Sequence, residues 1–278
     1  MSGRDLFQPY PGARFARHTP RQNQLLAALP PQDYERLLPG LQPVSLPLGC
    51  TVHNAGDREK YLYFLDAGIV SRFCVMEDGA SAHFSLTGSE GVVGVASFLS
   101  GESTPSQAVV LSAGHAYRLG AHLLKAEFAH DGVLPQLLLR YVHALIAQTG
   151  QIAVCNRHHS LEQQLCRLIL SSLDRLPSSE LTMTHDLIAD MLGARRESVT
   201  DIAGKLQKAG LIHYSRGHIA VLDRPGLEAK VCECYAVVKR EYDRLLGPNT
   251  LSAMPACAAH RGEIHRRQRE APQRAGAA

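Results

Sequence analysis

The stretch at 182–212, TMTHDLIADMLGARRESVTDIAGKLQKAGLI, contains two amphipathic helices and the break between them. Thr184 is placed to cap the first helix, Met183 to staple against Ile188, and Asp186 to meet the positive end of the helix dipole. Ala189 is small where a second helix must cross closely, and Gly193 permits a sharp turn. The second helix is predicted over about 195–208, stopped by Gly210. On a 3.6-residue period it carries Val199, Ile202, Ala203 and Leu206 on one face and Arg196, Glu197, Thr200 and Asp201 on the opposite one. Two helices of about nine and fourteen residues, joined by a three- or four-residue turn containing Gly, are the signature of a helix-turn-helix. The following LIHYSRGHIAVLDR (211–224) alternates about Ser215-Arg216-Gly217 and reads as a tight β-hairpin, a wing.

That pattern points to double-stranded DNA. The start of a recognition helix enters the major groove, where the Arg196 guanidinium can pair with guanine O6 and N7 and the Glu197 carboxylate can accept from the cytosine amino group. Ser198, Thr200 and Asp201 complete the reading edge. Arg195, beside the free N–H groups of the helix start, suits a phosphate. Lys205, Lys208, Arg216 and His218 are placed to meet further phosphates, which position a protein without reading sequence.

Working outward, 278 residues suffice for two modest domains, and a 45% hydrophobic, 20% charged composition is that of a globular chain. A net charge of +3 is too small to indicate nucleic acid by itself; its placement matters. No apolar run approaches the roughly 18 residues of a membrane helix, and the N-terminus lacks an apolar signal region, so no membrane partner and a cytoplasmic location are expected. Seven scattered cysteines, an odd number, predict reduced thiols rather than a disulfide framework. The absence of P-loop, GxSxG and HExxH patterns argues against an enzyme.

Residues 1–24, rich in Pro, Gly, Arg and Gln, read as a flexible arm. From Leu46 to about Leu119, short apolar runs are broken by glycines, and YLYFLDAGIVSRFCVMEDGASAHFSLTG (61–88) alternates about the Asp78-Gly79 turn, which predicts a small antiparallel β-roll. The stretch at 134–155 then places Leu134, Leu138, Tyr141, Leu145, Gln148, Ile152 and Cys155 at steps of four and three. Such a heptad spacing suits the seam of a parallel homodimer, or a helix packed on its own β-domain. A further helix is predicted at 160–176 with Ser160 as its N-cap. The resulting divisions are an arm (1–24), a sensor roll (25–132), a dimerisation helix (133–157), a winged helix-turn-helix (158–247) and a disordered basic tail (248–278).

GSEGVVGVASFLSG (88–101), the long helix at 134–155 and ARRESVTDIAGKLQKAGLIHYSRGHIAVLD (194–223) together resemble the CRP/FNR family of bacterial transcription regulators, over about residues 25–247. The resemblance implies an α+β chain: a cyclic-nucleotide-binding-like β-roll, a long dimerisation helix and a C-terminal winged helix-turn-helix. It also implies a homodimer on a palindromic site near promoters, with RNA polymerase as a further partner. Arg196 and Glu197 match base-reading positions of the catabolite-activator branch. Asp201 stands where that branch has a third reading arginine, and Arg195 where a Ser or Thr often caps the helix.

In cyclic-nucleotide members of the family a Glu in Gly-Glu-x-Gly holds the ribose and an Arg in Arg-Ser/Thr-Ala holds the phosphate. Here Val92 and Ser106 occupy those positions, and a buried phosphate without its guanidinium loses a pair worth about 1.5–3 kcal/mol, so cyclic nucleotide is not the expected effector. No cysteine precedes Cys50, against an FNR-type cluster. His83 and His115 are the nameable haem ligands but read as structural. Cys232 and Cys234, placed on a helix at i and i+2, point apart, so no metal and no cofactor are expected. Cys155, beside His158 and His159, is either a thiol switch with a lowered pKa or a packed thiol. The rival function is a ligand- or redox-sensing module whose winged helix serves protein contacts.

Overall fold

Successive side chains of a strand point to opposite faces, so a strand covered on both sides must be apolar at nearly every position. β3 (Tyr61–Val75) is such a strand in the computed structural model, which describes residues 18–101, 103–130 and 132–247. Leu62 and Phe64 join a core shared with the helices, while Tyr63 and Leu65 join the core inside the roll. β3 pairs with β6 (Gln107–Gly120), and register shifts between Leu65 and Val70 bend the long ribbon into a roll. β1 (Gln42–Leu46) and β2 (Thr51–His53) add to β6, while β4 (Ser81–Thr87) and β5 (Val92–Val93) add to β3, giving a six-stranded antiparallel sheet.

Short helices α1 (Gln24–Ala27), α2 (Pro31–Leu37), α3 (Ala96–Leu99) and α4 (Ala121–Ala129) close the roll. The expected arm ends earlier than residue 24. Asn23 is buried: its amide donates to the carbonyls of Leu65 (2.9 Å) and Gly91 (2.8 Å), and its Oδ1 caps α1 by accepting from Leu25 and Leu26. Residues 1–17 of the arm and the whole predicted tail, 248–278, lie outside the described residues.

The long helix α5 (Val133–His158) forms as predicted, but its heptad stripe faces its own chain. Leu134, Leu138, Tyr141, Leu145, Gln148, Ile152 and Cys155 are all buried. The Tyr141 ring lies on Gly91, where any Cβ would collide with it, and its hydroxyl is 2.9 Å from Thr87 Oγ1. Gln148 accepts from the Leu86 amide (3.1 Å). The expected seam residues Leu134, Leu138, Tyr141, Leu145 and Ile152 are therefore core, because the roll offers them an apolar surface. The opposite face leaves Leu139 (53%), Ile146 (65%) and Val154 (50%) exposed.

α6 (Leu161–Leu173) starts at the predicted cap, a reciprocal pair in which Ser160 and Gln163 satisfy each other's backbone N–H. Next come β7 (Glu180–Thr182), α7 (His185–Leu192), α8 (Arg196–Lys208), β8 (Ile212–Ser215), β9 (His218–Val221), α9 (Arg224–Lys230) and α10 (Cys234–Leu246). β7, β9 and β8 form a three-stranded sheet. A third core joins α6–α8 to the roll residues Ile69, Phe73, Leu86 and Leu111, so the winged helix sits directly on the roll. No helix among the described residues is long and apolar enough to cross a membrane.

Candidate nucleic-acid interface

Local chemistry builds the helix-turn-helix. Thr184 Oγ1 accepts from the Leu187 amide (3.2 Å), and Gly193 ends α7 in the left-handed conformation (φ 61°), which a side chain at that position would strain. The chain re-enters helix at Arg195, extended and without a side-chain cap, consistent with the Ser or Thr it lacks. Val199, Ala203 and Leu206 of α8 are buried and Ile202 half-buried. Opposite them Arg195, Arg196, Glu197, Thr200, Asp201, Lys205 and Lys208 are exposed, as are Arg216 and His218 on the wing; Ser198 is half-buried. Nine of the ten residues predicted for the interface are thus exposed and one half-buried, with five cations and two carboxylates among the ten.

Three of them are already engaged, His218 through Nδ1 at 3.4 Å from Thr182 Oγ1. The Thr200 hydroxyl donates to the Arg196 carbonyl (3.0 Å) and lies 2.9 Å from His185 Nδ1. Arg196 Nε lies 3.3 Å from Asp186 Oδ1, with both side chains 63% exposed. Such a pair is worth little in water, so the guanidinium can leave it for a base at small cost. His185 stacks on Tyr214 at 4.2 Å between centroids, and burial with the nearby Arg196 charge pushes its pKa down. His185 and Tyr214 as braces of the edge were missed by sequence reasoning, because their contacts cross from one element to another and leave no local pattern.

At the wing tip Ser215 pairs with His218 across a two-residue turn in which Arg216 (φ 49°) and Gly217 (φ 81°) both have positive φ. Such turns match the twist of a hairpin but favour Asn or Gly at the first position. Arginine there costs about 1 kcal/mol of backbone strain. The wing is fixed to the helices by Met183 N–H to the Gly217 carbonyl (2.8 Å), Tyr214 N–H to Gln207 Oε1 (2.7 Å) and Tyr214 O–H to the Met183 carbonyl (3.1 Å).

Inside the roll, the residues at the two positions that hold the nucleotide in cyclic-nucleotide members are both buried and engaged within the chain. Val92 is buried opposite Phe64. Ser106 accepts from Arg72 Nη2 (3.1 Å) and touches Thr104 Oγ1 (3.0 Å). Glu59 accepts from the Ala96 amide (2.6 Å) and lies 3.3 Å from His53 Nε2. Burial and the Arg72 charge push His53 down to about 4, and burial pushes Glu59 up. His83 is fully enclosed, its pKa pushed down to about 3 by burial and the charge of Arg167. The His115 ring lies tilted against that of His18, whose Nδ1 is 3.1 Å from Asp66.

One cysteine expectation needs correction, and of the two readings of Cys155 the structure has the buried thiol. Cys232 precedes α10 rather than lying on it, so it does not point away from Cys234; the two converge with Cys155 and His159. The Cys155 thiol is pushed up by burial rather than lowered by an imidazolium, since enclosure outweighs the neighbouring charges.

Residues 43–131 match the cyclic nucleotide-binding domain and residues 163–230 the Crp-like helix-turn-helix domain, together more than half of the chain. The global nitrogen regulator of Synechococcus elongatus is 25% identical over 184 residues, covering 63% of this chain and 83% of that protein. The CRP-like cAMP-activated global transcriptional regulator of Mycobacterium tuberculosis is 24% identical over 200 residues, covering 69% and 89%. Both relatives are global regulators, the mycobacterial one of transcription. The fold is that of a CRP/FNR-family regulator from Eubacterium rectale (TM-score 0.60, 18% identity, 74% and 96% covered) and of FixK2 from Bradyrhizobium japonicum (TM-score 0.60, 16% identity, 69% and 98% covered). A glycine-punctuated roll, a long helix and a winged helix-turn-helix, in that order and with those matches, make this chain a member of the CRP/FNR family of DNA-binding transcription regulators.

Proposed function

We propose that the protein is a cytoplasmic regulator that binds a palindromic promoter site as a homodimer without needing a cyclic nucleotide. Arg196 and Glu197 read base edges, with Ser198, Thr200 and Asp201 beside them, while Arg195, Lys205, Lys208, Arg216 and His218 hold phosphates. The observation that carries this reading is the exposed polar start of α8 opposite its buried apolar residues, together with the exposed, strained Arg216 tip of a wing that is bonded to α8 through Tyr214 and Gln207. A non-glycine residue kept at positive φ on a basic edge is strain retained for a contact.

The dimer uses the exposed face of α5, not the buried stripe. Leu139, Ile146 and Val154 recur at steps of seven and eight, with His143 and Gly150 between them, an apolar strip that a second copy of the same helix would cover. Independence from cyclic nucleotide rests on Val92 and on Ser106, which already binds Arg72. In this reading the sensor roll ends near residue 132 and the winged unit starts near 158.

Selection of a random duplex library at about physiological salt tests the reading. Recovery of two half-sites about one helical turn apart is the expected result. Recovery of no preferred sequence, from reduced, oxidised and metal-loaded protein alike, overturns it in favour of a winged helix used for protein contacts. Added cyclic AMP or cyclic GMP should leave both the selected sequence and the melting temperature unchanged.

A further inference from the structure

Four soft donor atoms meet where α5 ends and α10 begins. Cys155 lies on the last turn of α5 and His159 at its C-cap, while Cys232 and Cys234 enter from the turn that starts α10. Cys155 Sγ is 3.5 Å from Cys232 Sγ, His159 Nδ1 is 3.4 Å from Cys234 Sγ, and all four donor atoms lie within 4.8 Å of one another. The three thiols are buried and the imidazole half-buried. A tetrahedral zinc ion with bonds of about 2.3 Å to sulfur and about 2.0 Å to nitrogen requires ligand-to-ligand edges of roughly 3.5–3.8 Å. The donors therefore have the spacing of one mononuclear centre. An iron–sulfur cubane, whose thiolates bind different irons, needs them farther apart.

We propose that Cys155, His159, Cys232 and Cys234 form a site for a single soft divalent cation, zinc above all. Its surroundings match that chemistry. His159 turns Nδ1 to the thiols while Nε2 lies 3.3 Å from Glu233 Oε2, the carboxylate–imidazole arrangement that fixes the tautomer of a metal ligand. Gln151 donates to Cys234 Sγ (3.1 Å). Arg167 is buried, its Nε and Nη2 have no hydrogen-bond partner, and its charge acts on Cys155. Three thiolates around a divalent ion carry one net negative charge, and the guanidinium balances it, where either charge alone in that interior would be costly. A Cys155–Cys232 disulfide, by contrast, leaves Cys234, His159 and Arg167 without a common role.

The site ties the end of the long helix to the C-terminal helix, one residue before Ser160 caps α6. Occupancy thus fixes the joint on which the winged helix is carried. The site stands on its own geometry and does not depend on the DNA-binding reading.

Full-length protein, reduced and stripped with a chelator, is titrated with Co²⁺ without oxygen. About one equivalent should bind with the intense ligand-field bands of tetrahedral cobalt and a thiolate charge-transfer band, and Zn²⁺ should displace it. Cys232→Ser and His159→Gln should each weaken binding by more than about tenfold, whereas Cys50→Ser and Cys166→Ser should not. No tetrahedral spectrum from the parent protein overturns the proposal, whatever the variants do. So does Co²⁺ binding that survives both Cys232→Ser and Cys234→Ser, which marks an adventitious site elsewhere on the chain.

Discussion

α8 and α5 are both helices with a regular apolar spacing, yet the spacing identifies the functional face of only one. In α8 the apolar residues occupy one face and the charged ones the other, so burial of Val199, Ala203 and Leu206 leaves a single outcome for Arg196 and Glu197. In α5 both faces are apolar. Leu134 to Cys155 makes the more regular stripe, but it is the roll that takes it up, and Leu139, Ile146 and Val154 are left outside. An amphipathic pattern says which side of a helix is buried; with two apolar sides it does not say what buries each one.

The sharpest way to break this comparison is to cut one residue from each face of α5. Leu138→Ala, at a fully buried position, should lower unfolding free energy by about 2–5 kcal/mol without changing oligomeric state in sedimentation of the folded protein. Ile146→Glu, on the exposed face, should do the reverse, raising the dimer Kd roughly tenfold or more while leaving monomer stability nearly intact. If Leu138→Ala dissociates the folded protein and Ile146→Glu does not, the assignment of faces is inverted.

On α8, Arg196→Ala should cost about 1–3 kcal/mol at the preferred site and relax the base preference at one position of each half-site, whereas Lys208→Ala should weaken all duplexes alike. Filter or fluorescence titrations on a matched and a scrambled duplex separate the two. An Arg196→Ala protein with an unchanged preferred sequence removes Arg196 from the reading edge.

Acid should loosen the roll around His53 and the junction of β4 with α5 and α6 around His83. His53 and His83 are held neutral at about 4 and about 3, below the unfolded value of 6.5. The unfolded chain therefore takes up protons that the folded one refuses, so stability is complete above about pH 6.5 and declines below it. At pH 5.5 each imidazole should account for about 1.4 kcal/mol of lost stability. Urea midpoints at pH 7.5 and 5.5 measure the loss, and His83→Leu should reduce the difference.

The smallest effect is at the wing. Arg216→Asn should stabilise the protein by about 0.5–1 kcal/mol by relieving positive φ, yet lower the salt dependence of DNA binding by about one phosphate contact. A gain in both stability and affinity would show that Arg216 does not touch DNA.

The helix-turn-helix was legible because everything that defines it lies within about 30 residues: a cap at Thr184, a glycine at 193, an apolar period, and a hairpin turn. The roll was legible as a class from its glycines and alternation, but not its interior, where Arg72 meets Ser106 across 34 residues. The same distance problem hid the anchoring of Asn23, 68 residues from Gly91. It also hid the cysteine cluster, because Cys155 and Cys232 are 77 residues apart, and a helix wrongly extended back to Cys232 set it pointing away from Cys234.

By itself, then, the sequence determined the antiparallel character of the roll, the long helix and the one after it, the helix-turn-helix with its hairpin, where the recognition helix begins, and which of its residues meet solvent. Hydrogen-bonded turns, caps and side-chain periodicity act over a few residues, and so they can be read along the chain. Only the tertiary structure decided which side of α5 the roll covers, that Ser106 is spent on Arg72, and that three thiols and an imidazole share one point. Those outcomes depend on which distant surfaces compete to be buried, and no local spacing encodes the winner.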